Sequence, residues 1–377
     1  MSEKVKLGEL GEIVSGSTPK TNIKEYWDGD VLWITPAEIQ EDDYYIADTQ
    51  RKITNLAVEK TNLKLLPKGT ILLSSRAPIG KIAICDNDMY CNQGFKNIIC
   101  SDKIENRYIY YFLKHNIEYI KSLGRGATFK EISKGIVENI EIPYIEKKEQ
   151  IEIANKLDKI TEILKIRKQQ IKQFDEIIKS QFVEMFENEK YPKKTLNELT
   201  NKITDGSHNP PTGIAENEGY MMLSSQNIIN NSINYENVRF LKKEDFEKEN
   251  LRTNLNRGDV LLTIVGTVGR TAIITDETNI TLQRSVAVLK PTKEINSIYL
   301  VGAINSDDVI RQLNKGAKGV AQKGIYLNDI KKILIAVPPI ELQNQFAEIV
   351  KQIDKQKFES VMELKKLQKN IFYKWGR

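Results

Sequence analysis

The segment Asn209-Pro210-Pro211-Thr212 comes nearest to a catalytic motif in this chain. DNA amino-methyltransferases use Asn-Pro-Pro followed by an aromatic residue to hold an adenine or cytosine that is flipped out of the duplex, and the aromatic ring stacks on that base. Thr212 stands where that ring would be, and no Gly-rich cofactor loop precedes the segment. We therefore interpret it as a proline-stiffened loop.

Other reactive side chains are few and far apart. His115 and His208 are the two histidines and lie in different halves of the chain, which does not suit a Ser-His-Asp or Cys-His arrangement. Cys85, Cys91 and Cys100 form no CxxC pair and have no histidine nearby in the sequence, so neither a zinc site nor a disulfide framework is indicated. The phosphate-loop and dinucleotide-loop patterns also fail. We expect no catalytic residues, no metal and no cofactor.

Polar and basic residues occupy the segments predicted to be loops, and these residue types pair with the base edges and phosphates of DNA. Glycines at 124, 126, 316 and 319 would let the backbone approach a phosphate closely. An ordinary solvated loop surface also explains such residues. The candidates in the first half are Ser17, Thr18, Lys20, Arg76, Lys81, Gln93, Lys96, Arg125, Thr128 and Lys130. The candidates in the second half are Ser207, His208, Gln226, Asn227, Arg270, Gln283, Arg284, Lys315, Lys318 and Gln322.

The longest element that could position these loops is a helix from about Glu146 to Glu187. No glycine or proline occurs between Pro143 and Pro192, so nothing interrupts it, and at 1.5 Å per residue it would be roughly 60 Å long. Its apolar residues recur in a heptad pattern, and so narrow a stripe needs a partner helix. The residues of this seam are Leu157, Ile160, Leu164, Ile171, Phe174 and Ile178, followed by Met185.

A partner helix is predicted in the same chain, from Glu341 to Trp375, where glycine and proline are again absent. Lys357 and Ser360 fall on its apolar seam and weaken it. Both helices begin with a proline followed by an acidic first turn, which is a reasonable start signal. We expect an antiparallel pair, and two unrelated amphipathic surface helices are the alternative. The residues of the second seam are Ile353, Leu364, Leu367 and Ile371.

The chain repeats itself once, with a period of about 189 residues. Segment 68–73 aligns with 257–262, and Asn92-Gln93 aligns with Leu282-Gln283. Each repeat predicts short strands, one helix (107–123 or 297–313), a Gly-rich loop, a strand and a long helix. The predicted fold is therefore α+β, with two tandem β-rich domains separated by two long antiparallel coiled-coil helices. The predicted boundaries are 1–145 for the first domain, 146–190 for the central helix, 191–338 for the second domain and 339–377 for the C-terminal helix.

The totals fit a protein of two domains. The chain has 377 residues, a charged fraction of 28% and a formal net charge of +5, which suits a polyanionic partner without requiring one. No apolar run approaches membrane-spanning length, and the first residues resemble no signal peptide. We expect a cytoplasmic protein that does not bind membranes.

Several segments, in a fixed order, carry a resemblance to a known family. They are Leu7-Gly8-Glu9-Leu10, Ser15-Gly16-Ser17-Thr18-Pro19, Glu25-Tyr26-Trp27, Asp30-Val31-Leu32-Trp33-Ile34-Thr35, Lys68-Gly69-Thr70-Ile71-Leu72-Leu73, Pro78-Ile79-Gly80-Lys81 and Ile142-Pro143, with related positions at Asp205-Gly206-Ser207-His208, Gly258-Asp259-Val260-Leu261 and Val337-Pro338-Pro339. On these residues the chain resembles the specificity subunit of type I restriction–modification systems over essentially its whole length. One departure is Met221-Met222-Leu223, which stands where the first repeat has the aromatic Trp33.

The resemblance implies a non-catalytic subunit that recognises double-stranded DNA. Each recognition domain would bind one half of a bipartite, asymmetric site. The helices would set the spacing and dock two methyltransferase subunits, which would bring S-adenosylmethionine, and a motor-nuclease subunit is an optional further partner. Two other functions are the alternatives: a self-contained DNA methyltransferase that uses the 209–211 segment, and a coiled-coil scaffold that does not bind DNA.

Overall fold

The structure, a computed structural model, describes residues 3–126, 130–215, 219–275, 279–317 and 324–373, with side chains as far as residue 367. Contacts divide the chain into two compact units, Met1–Ile166 with Glu363–Arg377, and Arg167–Met362. Each unit holds one β-rich domain and parts of the two long helices. Within the described residues, no helix is long and apolar enough to cross a membrane.

The first domain consists of short strands and helices separated by turns, and the first long helix follows it. Its elements are β1 (Lys4–Lys6), α1 (Leu7–Leu10), β2 (Gly11–Ser15), β3 (Trp27–Ile34), β4 (Tyr45–Ile46), β5 (Lys52–Ile53), α2 (Asn55–Lys60), β6 (Ile71–Leu73), β7 (Ile82–Cys85), β8 (Tyr90–Cys91), β9 (Lys96–Cys100), α3 (Asn106–His115), α4 (Ile117–Ser122), α5 (Lys134–Glu138), β10 (Glu141–Pro143) and the long helix α6 (Lys147–Phe186).

A larger sheet in this domain has the strand order β2–β9–β6–β7–β4, and a smaller one has the order β5–β3–β8. β1 pairs with β10, where the chain enters and leaves the domain. The predicted buried strand is confirmed, because Ile71, Leu72 and Leu73 in β6 are all fully buried. Ile71 and Leu73 join the core that contains α1 and α3, whereas Leu72 joins a separate core that reaches β3. The alternation of a strand explains this split.

The second domain repeats this order of elements. They are β11 (Lys193–Thr195), α7 (Leu196–Leu199), β12 (Thr200–Asp205), β13 (Met221–Leu223), β14 (Ile228–Ile229), β15 (Ser232–Ile233), β16 (Arg239–Phe240), α8 (Lys243–Thr253), β17 (Val260–Thr263), β18 (Thr271–Ile273), β19 (Ile280–Leu282), β20 (Val286–Pro291), α9 (Ser297–Ile304), α10 (Asp307–Gly316), α11 (Leu327–Ile330), β21 (Leu334–Ala336) and the long helix α12 (Ile340–Tyr373).

The sheets of the second domain resemble those of the first, but the larger one has four strands where the first domain has five, and β14 pairs separately with β15. Their orders are β12–β20–β17–β18 and β16–β13–β19, and β11 pairs with β21. Trp33 pairs with Tyr90 in one parallel ladder and Met222 pairs with Thr281 in the other, so Trp33 and Met222 are equivalent positions. The strand registers therefore support the repeat that the sequence predicted.

The prediction of a single helix at 107–123 and at 297–313 is wrong in one respect, because each segment forms two helices, α3 with α4 and α9 with α10. α3 and α4 meet at Asn116, which leaves the helical conformation and donates its side-chain amide to Phe112 O at 2.8 Å. Asn305 follows α9 and donates to Val301 O at 2.9 Å. The asparagine side chain competes with the backbone for the carbonyl one turn earlier, and the chain turns there.

The first unit fixes the start of α6. The Gln150 side chain is fully buried, accepts a hydrogen bond from Glu105 N at 2.8 Å and donates to Ile145 O at 2.7 Å. Leu157, which the sequence placed on the helix-pairing seam, lies in the core of the first domain. Its burial is therefore due to the domain and is not evidence of a helix partner.

In the second unit, α6 and α12 run antiparallel. The Phe182 and Phe346 rings are 5.5 Å apart, and Asp175, earlier on α6, pairs with Lys357, later on α12. Lys357 therefore occupies a position of the apolar seam and forms an ion pair between the two helices. Ser360, the other polar seam residue, is buried, as its small size permits.

The seam residues are less exposed than their neighbours. Ile160, Leu164, Ile171, Phe174, Ile178, Ile353, Leu364 and Leu367 are half-buried, and the side chain of Ile371 lies outside the described part. Ile163, Ile166 and Ile177 of α6 are exposed, with 43–49% of their surface accessible. The seam missed Phe182 and Phe186, which are buried in the core of the second domain.

Candidate nucleic-acid interface

The loop after β2 carries the first cluster of candidates. A Cβ on Gly16 would overlap the backbone carbonyl that follows β8, so only glycine lets the chain pass there. Ser17 then donates its backbone N–H to Cys91 O at 2.9 Å. Thr18 hydrogen-bonds to the side chain of Gln93. The structure thus brings Ser17, Thr18 and Gln93 together.

The loop after β12 repeats two features of the loop after β2: a glycine packed against a carbonyl of the neighbouring segment, and then a serine whose N–H donates to the last carbonyl of the parallel strand. We call this shared arrangement the loop frame. A Cβ on Gly206 would overlap the carbonyl oxygen of Leu282, and Ser207 N donates to that oxygen at 2.7 Å. Ser207 forms a backbone bridge with Gln283, and its carbonyl accepts from Arg284 N at 2.9 Å. Ser207 is buried, whereas Arg284 is exposed. The candidates that this loop brings together are Ser207, Gln283 and Arg284.

The two frames correct the repeat alignment in this segment. Asn92 N donates to the last carbonyl of β3 at 3.0 Å, and Gln283 N donates to the last carbonyl of β13 at 2.8 Å. Asn92 is therefore equivalent to Gln283, and Gln93 to Arg284. The alignment of Gln93 with Gln283 is wrong by one residue, because local spacing could not reveal which residue follows the parallel strand.

A second pair of loops ends in Lys81 and in Arg270. Ser74 Oγ accepts from Lys81 N at 2.8 Å, and Thr263 Oγ1 accepts from Arg270 N at 2.9 Å. The Lys81 side chain reaches the Ala37 carbonyl at 3.4 Å, and the Arg270 side chain reaches the carbonyl at position 228 at 3.5 Å. Each basic side chain therefore contacts the segment that follows the central strand of the smaller sheet, β3 in the first domain and β13 in the second.

The Gly-rich loop of the first domain returns beside Arg76. Arg125 N donates to Glu131 O at 3.0 Å and Glu131 N donates back at 2.9 Å, while Arg76 forms a further backbone bridge with Glu131. Arg125 and Lys130 are exposed. Lys96 Nζ forms an ion pair with the Glu131 carboxylate at 3.1 Å. Four candidates, Arg76, Lys96, Arg125 and Lys130, thus surround Glu131 or flank it.

Other candidates lie apart from these clusters. Lys20 is exposed, and its carbonyl accepts from Trp27 Nε1 at 3.3 Å. Lys315 is exposed in the last turn of α10. Thr128, Lys318 and Gln322 lie outside the described residues.

Three candidates use their polar atoms within the protein. Lys96 is 8% exposed, and Asn227 is 4% exposed. Asn227 Oδ1 accepts from Ser224 N at 3.0 Å, which closes the short helical turn after β13. His208 is exposed, and its ring lies 2.8 Å from an oxygen of Asp205. Lys96 and Asn227 are therefore largely buried, and they stabilise the loops of the candidate interface rather than display their side chains on it.

A small polar cavity of about 270 Å³ lies beside the second loop frame. Gln226 is an exposed part of its wall. Such a cavity offers hydrogen-bond donors and acceptors to a polar group from outside. Its lining residues are Met222, Ser224, Gln226, Asn227, Asn237, Arg239 and Gln283.

Sequence reasoning missed two exposed arginines at these surfaces, Arg51 and Arg239. Each lies at the edge strand that pairs with the central strand of the smaller sheet. The sequence gives little indication of their role. Arg51 and Arg239 each lie one or two positions before an apolar residue.

Two buried thiols and the 209–212 segment can now be compared with the sequence predictions. Burial raises the pKa of the Cys91 and Cys100 thiols to about 12, so both stay protonated at neutral pH. Within the described ranges, no group of His, Cys, Asp or Glu is placed to hold a metal ion. The 209–212 segment is an irregular loop, and Pro211 O accepts from the Arg239 guanidinium at 3.0 Å.

Comparison with known proteins identifies related sequences. The family model described as "Type I restriction modification DNA specificity domain" matches residues 2–174 and 188–369. The MjaIX specificity subunit of Methanocaldococcus jannaschii is 42% identical over 186 residues, which are 48% of this chain and 42% of that protein. The MjaVIII specificity subunit of the same organism is 25% identical over 97% of this chain and 88% of its own length. The EcoBI specificity subunit of Escherichia coli is 23% identical over 71% of this chain and 63% of its length.

Solved structures share the fold at low sequence identity. The S subunit of a type I restriction–modification system from M. genitalium has a TM-score of 0.54 and 16% identity, over 99% of this chain and 95% of its own. A chain from a study of complex assembly and conformational transition of the type I R-M system has a TM-score of 0.61 and 16% identity, over 98% and 95%. The tandem α+β fold predicted from the sequence is confirmed.

Proposed function

The chain belongs to the type I restriction modification DNA specificity family, and from this premise we propose that it is the DNA sequence-specificity subunit of a type I restriction–modification complex. Each recognition domain binds one half of a bipartite, asymmetric DNA site, and the chain itself is not catalytic. The recognition domains are residues 1–145 and 191–338, and the spacer helices are 146–190 and 339–377.

The observation that carries the proposal is one loop frame that occurs twice with different side chains on it. Two backbone bonds recur in both loops, the one donated by Ser17 N or Ser207 N and the one donated by Asn92 N or Gln283 N, yet the first frame displays Gln93 where the second displays Arg284. The neighbouring loops end in Lys81 and in Arg270. Conserving a frame while changing its side chains lets two similar domains read two different base sequences.

The helices supply the spacing and the docking surface in this proposal. Antiparallel pairing through Asp175 and Lys357 gives a stiff element, and two rigidly linked binding domains gain affinity when their spacing matches that of the two half-sites. The partners are double-stranded DNA, two methyltransferase subunits that carry S-adenosylmethionine, and a motor-nuclease subunit where one is encoded. The relatives' names as type I restriction enzyme specificity subunits support this assignment. We propose that the complex acts in the cytoplasm.

The decisive experiment is co-expression of the chain with the neighbouring methyltransferase genes, followed by genome-wide mapping of methylated adenines. We expect methylation at a single two-part motif with a fixed gap, and none when either component is omitted. Methylation by the purified chain alone would instead establish a self-contained methyltransferase, although the Thr212 position argues against one.

Binding measurements separate DNA recognition from a scaffold role. Affinity of the complex for a duplex that carries the mapped motif should fall steeply as salt rises, because Lys and Arg displace counterions from phosphates. Binding to proteins but not to any duplex at low salt would support the scaffold. Deleting one heptad from each long helix should change the permitted gap but leave both half-motifs intact, and an unchanged gap would refute the spacer role.

A further inference from the structure

Arg51 lies against an aromatic platform at the exposed end of the smaller sheet in the first domain. Its guanidinium carbon is 4.0 Å from the centroid of the Trp27 ring and 5.4 Å from that of Trp33. The two indoles pack edge to face, with centroids 5.0 Å apart. Among the described residues, the Arg51 side chain has no carboxylate partner. Stacking restricts the side chain and leaves its N–H donors available.

Arg239 is held differently but is similarly exposed. Its guanidinium donates to Pro211 O at 3.0 Å, and Gly213 lies so close that a Cβ there would be 2.8 Å from Arg239 Cγ. Pro211 and Gly213 lie in one loop, and that loop is joined to β16 because Ile214 N donates to Phe240 O at 3.0 Å. A guanidinium has five N–H donors, so one bond to a carbonyl leaves most of them for a ligand.

The two arginines occupy the same position in the two domains. In the first, Leu32 of β3 pairs with Lys52 of β5, so the next step of the antiparallel ladder sets Trp33 opposite Arg51. In the second, Met222 of β13 pairs directly with Arg239. Since Trp33 and Met222 are equivalent, Arg51 and Arg239 are equivalent as well. No alignment of the sequence segments alone indicated this.

Each arginine also adjoins the loop frame of its own domain. Trp33, which Arg51 overlies, donates its indole N–H to Ser17 O at 3.2 Å. Arg239 and Gln283 line the same cavity of about 270 Å³. In both domains, therefore, a partly immobilised guanidinium lies beside the polar loop that carries the candidate base contacts.

We propose that Arg51 and Arg239 are a matched pair of specificity-determining residues, each reading a guanine in the half-site of its own domain. This inference rests on the proposed function. The planar guanidinium donates two parallel hydrogen bonds to O6 and N7 of guanine, whereas a lysine ammonium meets the same acceptors without the rigid planar fork. Immobilisation by a tryptophan platform or by a loop carbonyl lowers the entropy lost when the contact forms.

The test uses the full chain co-expressed with its methyltransferase partners, and its readouts are the mapped motif and competition binding to duplexes with single base-pair changes. Arg51→Ala should abolish the preference for one G·C pair in one half-motif and leave the other half unchanged, and Arg239→Ala should do the converse. We expect discrimination at that pair to fall by roughly tenfold to a hundredfold. Arg51→Lys and Arg239→Lys keep the charge and should relax the same pair, so the test does not depend on the alanine variants alone.

Controls distinguish the possible failures. Lys103→Ala and Arg311→Ala remove exposed positive charges elsewhere in the first and second units and should leave the motif unchanged. An equal loss of affinity on every duplex with the motif intact would make the arginine a phosphate contact and overturn the inference. So would relaxation of both halves at once, or an effect no larger than that of the controls. A wild-type complex without any two-part motif would overturn the proposed function itself.

Discussion

The Arg107 guanidinium donates a hydrogen bond to Asp158 at 2.6 Å and thereby joins α3 to α6 in the first unit. The other carboxylate oxygen accepts from the hydroxyls of Tyr44 and Tyr111, each at 2.6 Å. Burial and the bond to Asp158 raise the pKa of both tyrosines, so both hydroxyls remain donors at neutral pH. One carboxylate thus satisfies three donors from the first domain.

Asp158→Ala should therefore lower the free energy of unfolding of the first unit by about 1–3 kcal/mol, because the Tyr44 hydroxyl loses its acceptor and the Tyr111 hydroxyl keeps only a 3.4 Å contact with Thr161. The Arg107 guanidinium keeps its bond to Glu105 at 2.6 Å, so the change does not leave an unpaired buried charge. The Arg107 and Asp158 side chains are only 22% and 28% exposed, so solvent screens the pair weakly. Urea denaturation measures the change. Glu162→Ala, at an exposed position on the same helix, is the control, and a loss no larger than the control's would contradict the prediction.

A buried glutamine near the start of each long helix makes a second prediction. Gln150 and Gln343 are both fully buried; Gln343 accepts from Asn296 N at 2.9 Å, and Gln150 accepts from Glu105 N at 2.8 Å. Replacing either with leucine leaves a backbone N–H unpaired, and each change should cost about 1–3 kcal/mol of unfolding free energy.

The matched control for these variants is Gln352→Leu, at an exposed position of α12, which should change stability by less than about 0.5 kcal/mol. Hydrogen exchange provides a local measurement, because amide protection at Glu105 should fall in the Gln150 variant and that at Asn296 in the Gln343 variant. Unchanged protection at these amides would show that the bonds do not stabilise the helix starts.

The sequence predicted features that depend on local patterns. The long helices followed from the absence of glycine and proline, and the buried strand β6 followed from an apolar run after the turn at Gly69. Each of these signals lies within a few turns of the chain. The breaks at Asn116 and Asn305 escaped notice because a side-chain bond to a preceding carbonyl is one of several conformations that asparagine can adopt.

Features that depend on pairing between distant segments could not be predicted. Arg51 and Arg239 became equivalent only once the antiparallel registers were known. Gln150 resembles any polar residue on a solvent-exposed helix face until its contact with the backbone of residue 105 is seen. Strand register and helix docking are set by the whole packed domain, so the candidate list contained the loops but missed their most constrained side chains.

A third prediction concerns the glycines that begin the loop frames. Gly16→Ala or Gly206→Ala would force a Cβ into a neighbouring carbonyl, so the loop that carries Ser17 or Ser207 must move. We expect a loss of about 1–3 kcal/mol in unfolding free energy, as for other overpacked sites, and a weakened preference for the half-motif read by that domain. Gly135→Ala is the control, because a Cβ there meets nothing within 4 Å. A variant as stable and as selective as this control would show that the frame tolerates a side chain.

The last prediction tests the antiparallel pairing of the long helices through Asp175 and Lys357. Lys357 is 21% exposed and Asp175 is 50% exposed, so screening limits the pair to about 1 kcal/mol. Lys357→Glu should cost more than the lost pair, because it places a new negative charge beside Asp175, and adding Asp175→Lys should recover most of the loss. A double-mutant cycle measured by urea denaturation gives the coupling directly.

Lys351→Glu, which breaks only a pair with Glu348 on the same helix, should have a smaller effect and is the control. Zero coupling between positions 175 and 357 would mean that the two helices do not meet in this register.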